Sequence, residues 1–365
     1  MGRQATSSTL VTPEHVEAYL RSHGWPDARI RELRPLGQST QAGLKAYGYG
    51  RPLCVVFTAR GKEERVVVRT MSPDPFGHER RADRVGAMVL SFDTFASVPR
   101  HIRPMDVGTF ADDGALVSTP AGEPFLVTEY VDGELYAQDL AELAKADAPR
   151  PLDLERAEAL AEYLAALHAE RADPALYARF LRDTIGGGEG IFGQVDGYPE
   201  DDEVAPPSRL EAIEAAANRW RWHLRAKKHR ARRTHGDFHP FNLLFREGCD
   251  LSVLDASRGG VGEPADDVTC LAVNYLFFGF ARRGHFEGPE RRLWEAFWRR
   301  YLDASRDAEV LEVTPPFFAW RLLVLASPVW YPDLSPDTRE RLLGLAESLL
   351  GGVRFYPDAL DDLLA

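Results

Sequence analysis

Residues 234–245, THGDFHPFNLLF, place an aspartate, two histidines and an asparagine in one short segment broken by Gly236 and Pro240. An aspartate on such a loop, held between rigid elements, is a candidate catalytic base. Asn242 lies five residues beyond Asp237, and its amide oxygen suits a hard cation such as magnesium. The segment therefore predicts proton transfer next to a metal ion.

A second carboxylate follows a short apolar run that is typical of a strand. The run covers residues 251–254, and Asp255 comes directly after it. A base, an asparagine ligand and a carboxylate ligand are the parts needed to hold a metal-bound triphosphate beside a hydroxyl group. The alternative is that the polar side chains of residues 234–245 only cap and brace a turn, as such residues often do.

The pattern His235-Gly236-Asp237-x-His239-x-x-Asn242, followed by Asp255, resembles the catalytic loop of the aminoglycoside phosphotransferase and choline kinase family. A second segment, GEPADD at residues 262–267, is similar to the G-x-P-x-x-D segment of that family. The resemblance implies a protein-kinase-like fold and ATP and Mg²⁺ as cofactors. It implies that Asp237 is catalytic, that Asn242 and Asp255 bind the metal, and that Asp267 bonds the backbone of the loop.

The N-terminal part matches the family less closely. The strand ERVVVRT puts Arg69 where the family needs a cation over the α- and β-phosphates, and Glu79 on the next helix would orient it. Ser39, in a polar loop containing two glycines, would donate to phosphate oxygens. Lys45, just beyond that loop, is a competing cation, and the choice between Arg69 and Lys45 stays open.

The segment 125–131, FLVTEYV, is similar to the hinge strand of the family. The resemblance implies that the Glu129 carbonyl and the Val131 amide contact the adenine edge. Because these are backbone contacts, the side chains at these positions are weak evidence for a nucleotide site. A buried edge strand could have the same kind of sequence.

The elements that must position these residues follow from the hydrophobic patterns. Thr12-Pro13-Glu14 predicts a helix start, and Asp74-Pro75 predicts a second one. Two strands, at 54–57 and 65–69, predict a hairpin. Residues 185–207 predict a loop or mobile insertion. Further helices are predicted at residues 154–170, 209–232, 294–302, 317–325 and 339–350.

Strands before helices indicate the α+β class, here with a protein-kinase-like two-lobed fold. We predict a nucleotide-binding lobe at residues 1–131, with a leading helix, and a mostly helical lobe at residues 132–365 that carries the catalytic loop and the substrate site.

The composition limits the partners of the chain. It has 365 residues and a net charge of −12, which argues against nucleic acid and anionic membranes and is compatible with a cationic acceptor. The basic, tryptophan-containing stretch 219–233 is better interpreted as a helix with a solvated basic face. Three scattered cysteines, no apolar leader and no long apolar run predict a cytoplasmic protein without disulfides.

We therefore expect an ATP-dependent small-molecule kinase that phosphorylates a hydroxyl of an aminoglycoside, amino alcohol or sugar. A catalytically silent nucleotide-binding protein is one alternative, motivated by Arg69 and the irregular glycine loop. A protein kinase is the other, disfavoured by Gly236 within the loop and by the absence of an A-P-E segment after Asp255. The acceptor, the choice of ATP or GTP, and the oligomeric state are not determined by the sequence.

Overall fold

The computed structural model describes residues 11–36, 52–119, 122, 124–256, 258 and 260–360. The chain forms two compact units, Met1–Val127 and Thr128–Ala365. The first unit contains a three-stranded sheet, whereas helices dominate the second. The predicted α+β class is therefore confirmed. None of the helices in the described residues has the length and apolar character that a membrane span needs.

The first unit begins with α1 (Pro13–Ser22), which starts where the sequence predicts. The Thr12 side chain caps it by accepting a hydrogen bond from the His15 amide at 3.3 Å. Val16 and Leu20 of α1 are buried. They pack in one cluster with alternate residues of an antiparallel sheet of strands β1 (Arg29–Pro35), β2 (Leu53–Ala59) and β3 (Lys62–Val68), ordered β1-β2-β3.

The predicted hairpin is confirmed as β2 and β3, with Ala59 paired to Lys62. The two residues between them, Arg60 and Gly61, have φ of 52° and 72°. Positive φ at both central residues is the conformation of the two-residue turns that match strand twist. Gly61 adopts it without steric cost.

The second helix starts later than the sequence predicts. α2 spans Arg81–Phe95, seven residues beyond Asp74. The Asp74 carboxylate instead accepts a hydrogen bond from the Phe76 amide at 2.8 Å, and Gly77 has φ of 100°. Asp74 therefore stabilises a turn, because a short acidic side chain satisfies backbone amides there as readily as at a helix start.

The start of α2 is capped by Asp83, whose carboxylate accepts a hydrogen bond from the Arg80 amide at 2.6 Å. Glu79 consequently precedes the helix, and its predicted place on α2 is wrong. The rest of the first unit contains a short hairpin of β4 (Gly108–Phe110) and β5 (Leu116–Ser118).

The predicted strand at 125–131 is also not formed. Residues 124–133 have no regular secondary structure, and Phe125, Leu126 and Tyr130 are each at least 88% exposed. A strand needs a neighbour to satisfy its backbone groups, and no strand pairs with this segment in the described residues. Apolar composition by itself does not supply that neighbour.

The described residues of the second unit form ten α-helices and five strands, besides short 3₁₀ turns. They are β6 (Glu134–Leu135), α3 (Tyr136–Leu143), α4 (Pro151–His168), α5 (Pro174–Gly186), α6 (Ile191–Asp196), α7 (Pro207–Leu224), β7 (Arg232–Arg233), β8 (Leu243–Phe245), β9 (Leu251–Val253), β10 (Val261–Gly262), α8 (Pro264–Arg283), α9 (Pro289–Ser305), α10 (Val310–Val313), α11 (Pro315–Ala326) and α12 (Pro336–Leu350). The predicted C-terminal helices are found as α4, α7, α9, α11 and α12, but the helix predicted over residues 209–232 ends at Leu224, and Arg232 belongs to β7.

Helix α8 is buried along nearly its whole length, from Pro264 to Leu276 and again at Gly279 and Phe280. A helix that is apolar on all sides can lie only in the interior. It packs against α9 and α11, and the aromatic core contains Trp294, Trp298, Phe317 and Phe318. The first turn of α8 is therefore fixed in position inside the second unit.

The segment 185–207 is not the loop that its composition predicts. It contains α6, and its Ile191 and Tyr198 side chains are buried. The Tyr198 hydroxyl donates to the Leu323 carbonyl at 2.7 Å. Ile185 and Ala205 of the segment are buried as well, so several scattered anchors order a stretch that is rich in glycine and acidic residues overall.

Candidate active site

The segment 234–245 forms a loop between two small sheets. It follows β7, which pairs with β10, and it leads through a short 3₁₀ turn at Pro240–Asn242 into β8, which pairs with β6 and β9. Gly236 has φ of 87°, and a Cβ added there would lie 3.1 Å from the Arg258 Cβ. Glycine is therefore favoured at Gly236 for its backbone conformation and for its close neighbour.

The Asp267 carboxylate holds the start of this loop. It accepts hydrogen bonds from the His235 and Gly236 amides, each at 2.7 Å and each to a different oxygen. The His168 Nε2 lies 3.1 Å from the same carboxylate. Asp267 is fully buried in the first turn of α8, where the helix dipole favours a negative charge. The backbone-bonding role predicted for Asp267 is thus present in the structure.

His235 is a second brace of the loop. Its ring is buried, and its Nδ1 accepts a hydrogen bond from the Asp237 amide at 3.3 Å. That bond assigns the proton of the neutral ring to Nε2. The ring packs edge-on against Phe238, with centroids 5.5 Å apart. His235 therefore contributes to the shape of the loop from inside it.

The Asp237 carboxylate has different partners at its two oxygens. The guanidinium groups of Arg258 and Arg321 lie 3.0 and 3.1 Å from Oδ1. The Asn242 amide nitrogen and the His239 Nε2 lie 3.4 Å from Oδ2, which is long for a hydrogen bond. Oδ1 is thus tightly paired, and Oδ2 is the less engaged oxygen.

These partners also set the charge of Asp237. Burial would raise the pKa of its carboxyl group. The His239 ring beside Oδ2 and the positive charges of Arg321 and Arg258 outweigh burial and hold the pKa of the carboxyl group well below its usual value. Asp237 is therefore a carboxylate throughout the neutral range and a weak base.

Asn242 and Asp255 are brought close by strand pairing. The Leu254 amide donates to the Asn242 carbonyl at 2.8 Å, which places Asp255 one residue beyond this bond. The Asn242 amide nitrogen donates to the Asp237 carbonyl at 3.0 Å, so the amide oxygen is the atom left to bind a cation. Asp255 is exposed and has φ of 49°, a conformation that aspartate tolerates.

This donor set fits a magnesium ion. It offers oxygens alone, and Mg²⁺ commonly takes one or two protein ligands together with phosphate oxygens and water. In the part of the chain that the structure describes, no group of three or more His, Cys, Asp or Glu side chains is arranged to hold a metal. A metal at Asn242 and Asp255 would therefore complete its shell with nucleotide and water.

Arg258 and Arg321 were missed by the sequence reasoning. Arg258 lies only three residues after Asp255, so its position in the sequence could have indicated that it lies near the predicted metal ligand. Arg321 is on α11, and its contact with Asp237 joins residues 84 apart, so no local spacing marks it. Arg321 also donates to Asp266 at 2.7 Å, and Asp266 is buried beside Asp267 in α8.

The remaining candidates belong to the first unit or to the segment that follows it. Arg69 comes directly after β3, is exposed, and its guanidinium lies 5.9 Å from the centre of the Phe95 ring. Glu129 is exposed, and Val131 is partly buried. Ser39 and Lys45 lie outside the described residues. The roles predicted for these five residues stay predictions.

A family model described as the phosphotransferase enzyme family (APH) matches residues 55–321 of the chain. That match spans most of the 365 residues, including residues 234–245 and Asp255. No curated protein matches the chain.

Several solved structures are similar to the chain at low identity. The ADP-bound aminoglycoside phosphotransferase APH(2'')-Ib is 16% identical, with 93% of this chain and 99% of that chain covered and a TM-score of 0.35. The Plasmodium vivax ethanolamine kinase Pv091845 is 14% identical, with coverage of 88% and 76% and a TM-score of 0.36. A choline/ethanolamine kinase family protein from Mesorhizobium loti is 16% identical, with coverage of 96% and 91% and a TM-score of 0.33.

Proposed function

The chain belongs to the phosphotransferase enzyme family, and from this premise we propose that it transfers the γ-phosphoryl group of ATP to a hydroxyl of a small molecule. The family match supports phosphoryl transfer to a small molecule as the reaction class. The transfer of the γ-phosphoryl group to a hydroxyl is supported by hydrogen bonds that bring the proposed site residues together. The Asn242 side chain donates to the Asp237 carbonyl, and the Asn242 carbonyl accepts from the amide of the residue before Asp255.

In this proposal Asp237 orients the attacking hydroxyl and accepts its proton only late in the transfer of the phosphoryl group. A carboxylate with a lowered pKa is a poor base, so early proton removal would contribute little. Phosphoryl transfer passes through a loose transition state in most analyses, and positioning then supplies most of the catalysis. A carboxylate held in one orientation suits that task.

Asn242 and Asp255 would hold the metal-bound triphosphate through their side-chain oxygens. When bound, Mg²⁺ neutralises charge on the phosphate oxygens and aligns the γ-phosphorus. Within the first unit, we assign the phosphate cation to Arg69 or Lys45 and its orientation to Glu79. Ser39 and the backbone of Glu129 and Val131 would complete the nucleotide site.

The acceptor class remains an aminoglycoside, an amino alcohol or a sugar. Trp330 offers an exposed indole in the second unit, and its Nε1 donates to the Gln194 side chain at 3.1 Å, which fixes the ring. A fixed indole face suits either a sugar ring or a cationic amine. The net charge of −12 is compatible with a cationic acceptor.

A screen of Mg²⁺-dependent ATP consumption over these three acceptor classes tests the proposal, with GTP as a parallel donor. We expect one class to give a phosphorylated product that mass spectrometry detects, and Asp237→Asn to abolish it. Nucleotide binding without turnover on any acceptor would favour the silent alternative. Transfer of radiolabel to protein, and not to small molecules, would favour a protein kinase.

A further inference from the structure

Arg321 joins three acceptors with one buried guanidinium group. Its Nη1 donates to Asp237 Oδ1 at 3.1 Å, and its Nη2 donates to the Gly236 carbonyl at 3.1 Å and to Asp266 Oδ1 at 2.7 Å. The residue is 6% exposed. The side chain therefore connects α11, the loop and the first turn of α8 directly beside the Asp237 carboxylate.

The plane of this guanidinium is also fixed. Its Cζ lies 3.9 Å from the centre of the Trp320 ring, and Trp320 Nε1 donates to the Glu189 carbonyl at 2.9 Å. Arginine presents its donors in a rigid fork, so a fixed plane sets the direction of each hydrogen bond. Rotation of the Asp237 carboxylate would break its bond to this fork.

From these contacts we propose that Arg321 is a positioning residue for phosphoryl transfer: it holds Asp237 Oδ1 in an ion pair so that Oδ2 faces the acceptor hydroxyl. The inference rests on the proposed function and adds to it a residue of α11. Arg321 would act through Asp237, to which it is hydrogen-bonded.

Arg258 does not duplicate this role. Its side chain is 27% exposed, and its guanidinium also pairs with Glu189, whose side chain is 74% exposed. A partly exposed pair is screened by solvent and holds its geometry loosely. Arg321 is buried, so its contact with Asp237 is screened far less.

The groups that face Asp237 come from four elements. His239 and Asn242 belong to the loop, Arg258 to the segment after β9, Cys270 to α8, and Arg321 to α11. Among these, Arg321 and Arg258 carry the permanent positive charges. Removing Arg321 should therefore change the surroundings of the Asp237 carboxylate, whereas removing a residue that only braces the helix would leave them unchanged.

Arg321→Met removes the fork and keeps much of the side-chain volume. Burial raises the pKa of Asp266 to about 6 even with Arg321 present, so Asp266 can take up a proton in the variant and the chain can still fold. Arg321→Lys is the companion variant, because it keeps a charge beside Asp266 and loses the fork. Arg339→Met is the matched control: Arg339 is also buried, donates to the Ala326 carbonyl of α11 at 2.7 Å, and does not touch Asp237.

Two readouts separate positioning from a structural role. The first is the ¹³C chemical shift of the Asp237 carboxyl group at neutral pH, with aspartate-labelled protein and Asp237→Asn to assign the signal. We expect this signal to move in Arg321→Met, to move less in Arg321→Lys, and to stay unchanged in Arg339→Met. An unchanged signal in a folded Arg321→Met variant would overturn the inference. This readout needs no turnover, so it stands even if the acceptor screen fails.

The second readout is kinetic. We expect Arg321→Met to lower kcat about 10²-fold with little change in KM for ATP, because misplacing a reacting group costs about that much. In the Asp237→Asn background the same change should cost only a few-fold, since two residues that act as a unit are not additive. Equal losses in both backgrounds, or equal losses in Arg339→Met, would show that Arg321 only stabilises the fold.

Discussion

The two oxygens of the Asp237 carboxylate differ in their surroundings, and this difference limits the chemistry that the carboxylate can perform. Oδ1 is paired with Arg258 and Arg321, whereas Oδ2 has only contacts of 3.4 Å. The same positive charges lower the pKa of the group. Asp237 is therefore suited to orienting a hydroxyl more than to removing its proton early.

Asp237→Asn should leave nucleotide affinity nearly unchanged and lower the rate of phosphoryl transfer about 10²–10⁴-fold, because an amide cannot accept the proton. Initial-rate measurements with the acceptor found in the screen, together with calorimetric titration of nucleotide, check both parts. The control is Asp250→Asn, an exposed carboxylate that pairs with Arg246 on the turn between β8 and β9. Wild-type turnover in Asp237→Asn would remove this residue from the mechanism.

Asp255→Ala should weaken nucleotide binding in the presence of Mg²⁺ more than in its absence, because the lost carboxylate would bind the nucleotide through the metal. Calorimetry of ATP with Mg²⁺ and with a chelator measures the two affinities. Asp250→Ala serves as control, since it removes an exposed carboxylate from the neighbouring turn. Equal weakening under both conditions would assign Asp255 a structural role.

Arg69→Ala should raise KM for ATP and lower kcat if this residue supplies the phosphate cation, and Arg69→Lys should recover part of the activity as a point charge without the fork. Arg65→Ala is the control from the same strand, since Arg65 is exposed and pairs with Glu63. Lys45→Ala decides between the two cations. If Lys45→Ala lowers activity and Arg69→Ala does not, the phosphate cation is Lys45, in the segment after the glycine loop.

At the scale of elements, the first turn of α8 positions the loop. Asp267 satisfies two consecutive loop amides, and Asp266 binds Arg321 of α11. Both carboxylates are buried at a helix N-terminus, where the free amides and the dipole favour negative charge. The loop is thus attached to a helix that is itself largely buried in the second unit.

Asp267→Asn should lower the free energy of unfolding by about 1–3 kcal/mol, because the amide keeps one acceptor oxygen and turns a donor toward the second loop amide. Activity should fall as well, since the loop loses its attachment. Asp153→Asn is the matched control: Asp153 is buried in the first turn of α4 and accepts from the Arg150 amide at 2.7 Å. Denaturant unfolding and turnover measure both effects, and a stable, fully active Asp267→Asn would contradict the assignment.

At the scale of the whole molecule, the net charge of −12 contrasts with a dense ion network inside the second unit. Arg230 is buried and donates to both Glu263 and Asp307, at distances from 2.6 to 2.9 Å. Glu263 is fully buried and also accepts from the Tyr177 hydroxyl at 2.7 Å. The network connects α5, the segment before the loop and the start of α8.

Arg230→Met should lower the free energy of unfolding by about 3–5 kcal/mol, because it leaves the Glu263 charge buried without a cation. Adding Glu263→Gln should restore part of the loss by removing that charge. Arg233→Met is the control, as its pair with Glu170 is exposed and screened by solvent, so its loss should change stability little. Chemical denaturation measures all three, and similar losses for Arg230→Met and Arg233→Met would contradict the buried-network argument.

The amino-acid sequence was sufficient to predict the α+β class, the loop with its candidate site residues, and half of the helices of the second unit. The spacing of Asp237, Asn242 and Asp255 predicted that the loop and the strand end lie together, since strand pairing brings residues a few positions apart into contact. The hydrophobic period predicted α4, α7, α9, α11 and α12, because burial of one face selects that period, but it did not predict α8, which is buried along most of its length. The hairpin of β2 and β3 followed from two β-branched runs flanking a two-residue turn.

The groups that lie beside Asp237 but far from it in sequence depend on tertiary packing. Arg321 reaches Asp237 through the packing of α11 against α8, and that packing depends on the whole aromatic core and not on any local pattern. Tertiary contacts also order residues 185–207 through buried side chains and leave residues 125–131 without a strand partner in the described residues. Local spacing encodes which side chains can act, whereas packing over long separations decides how they are charged and held.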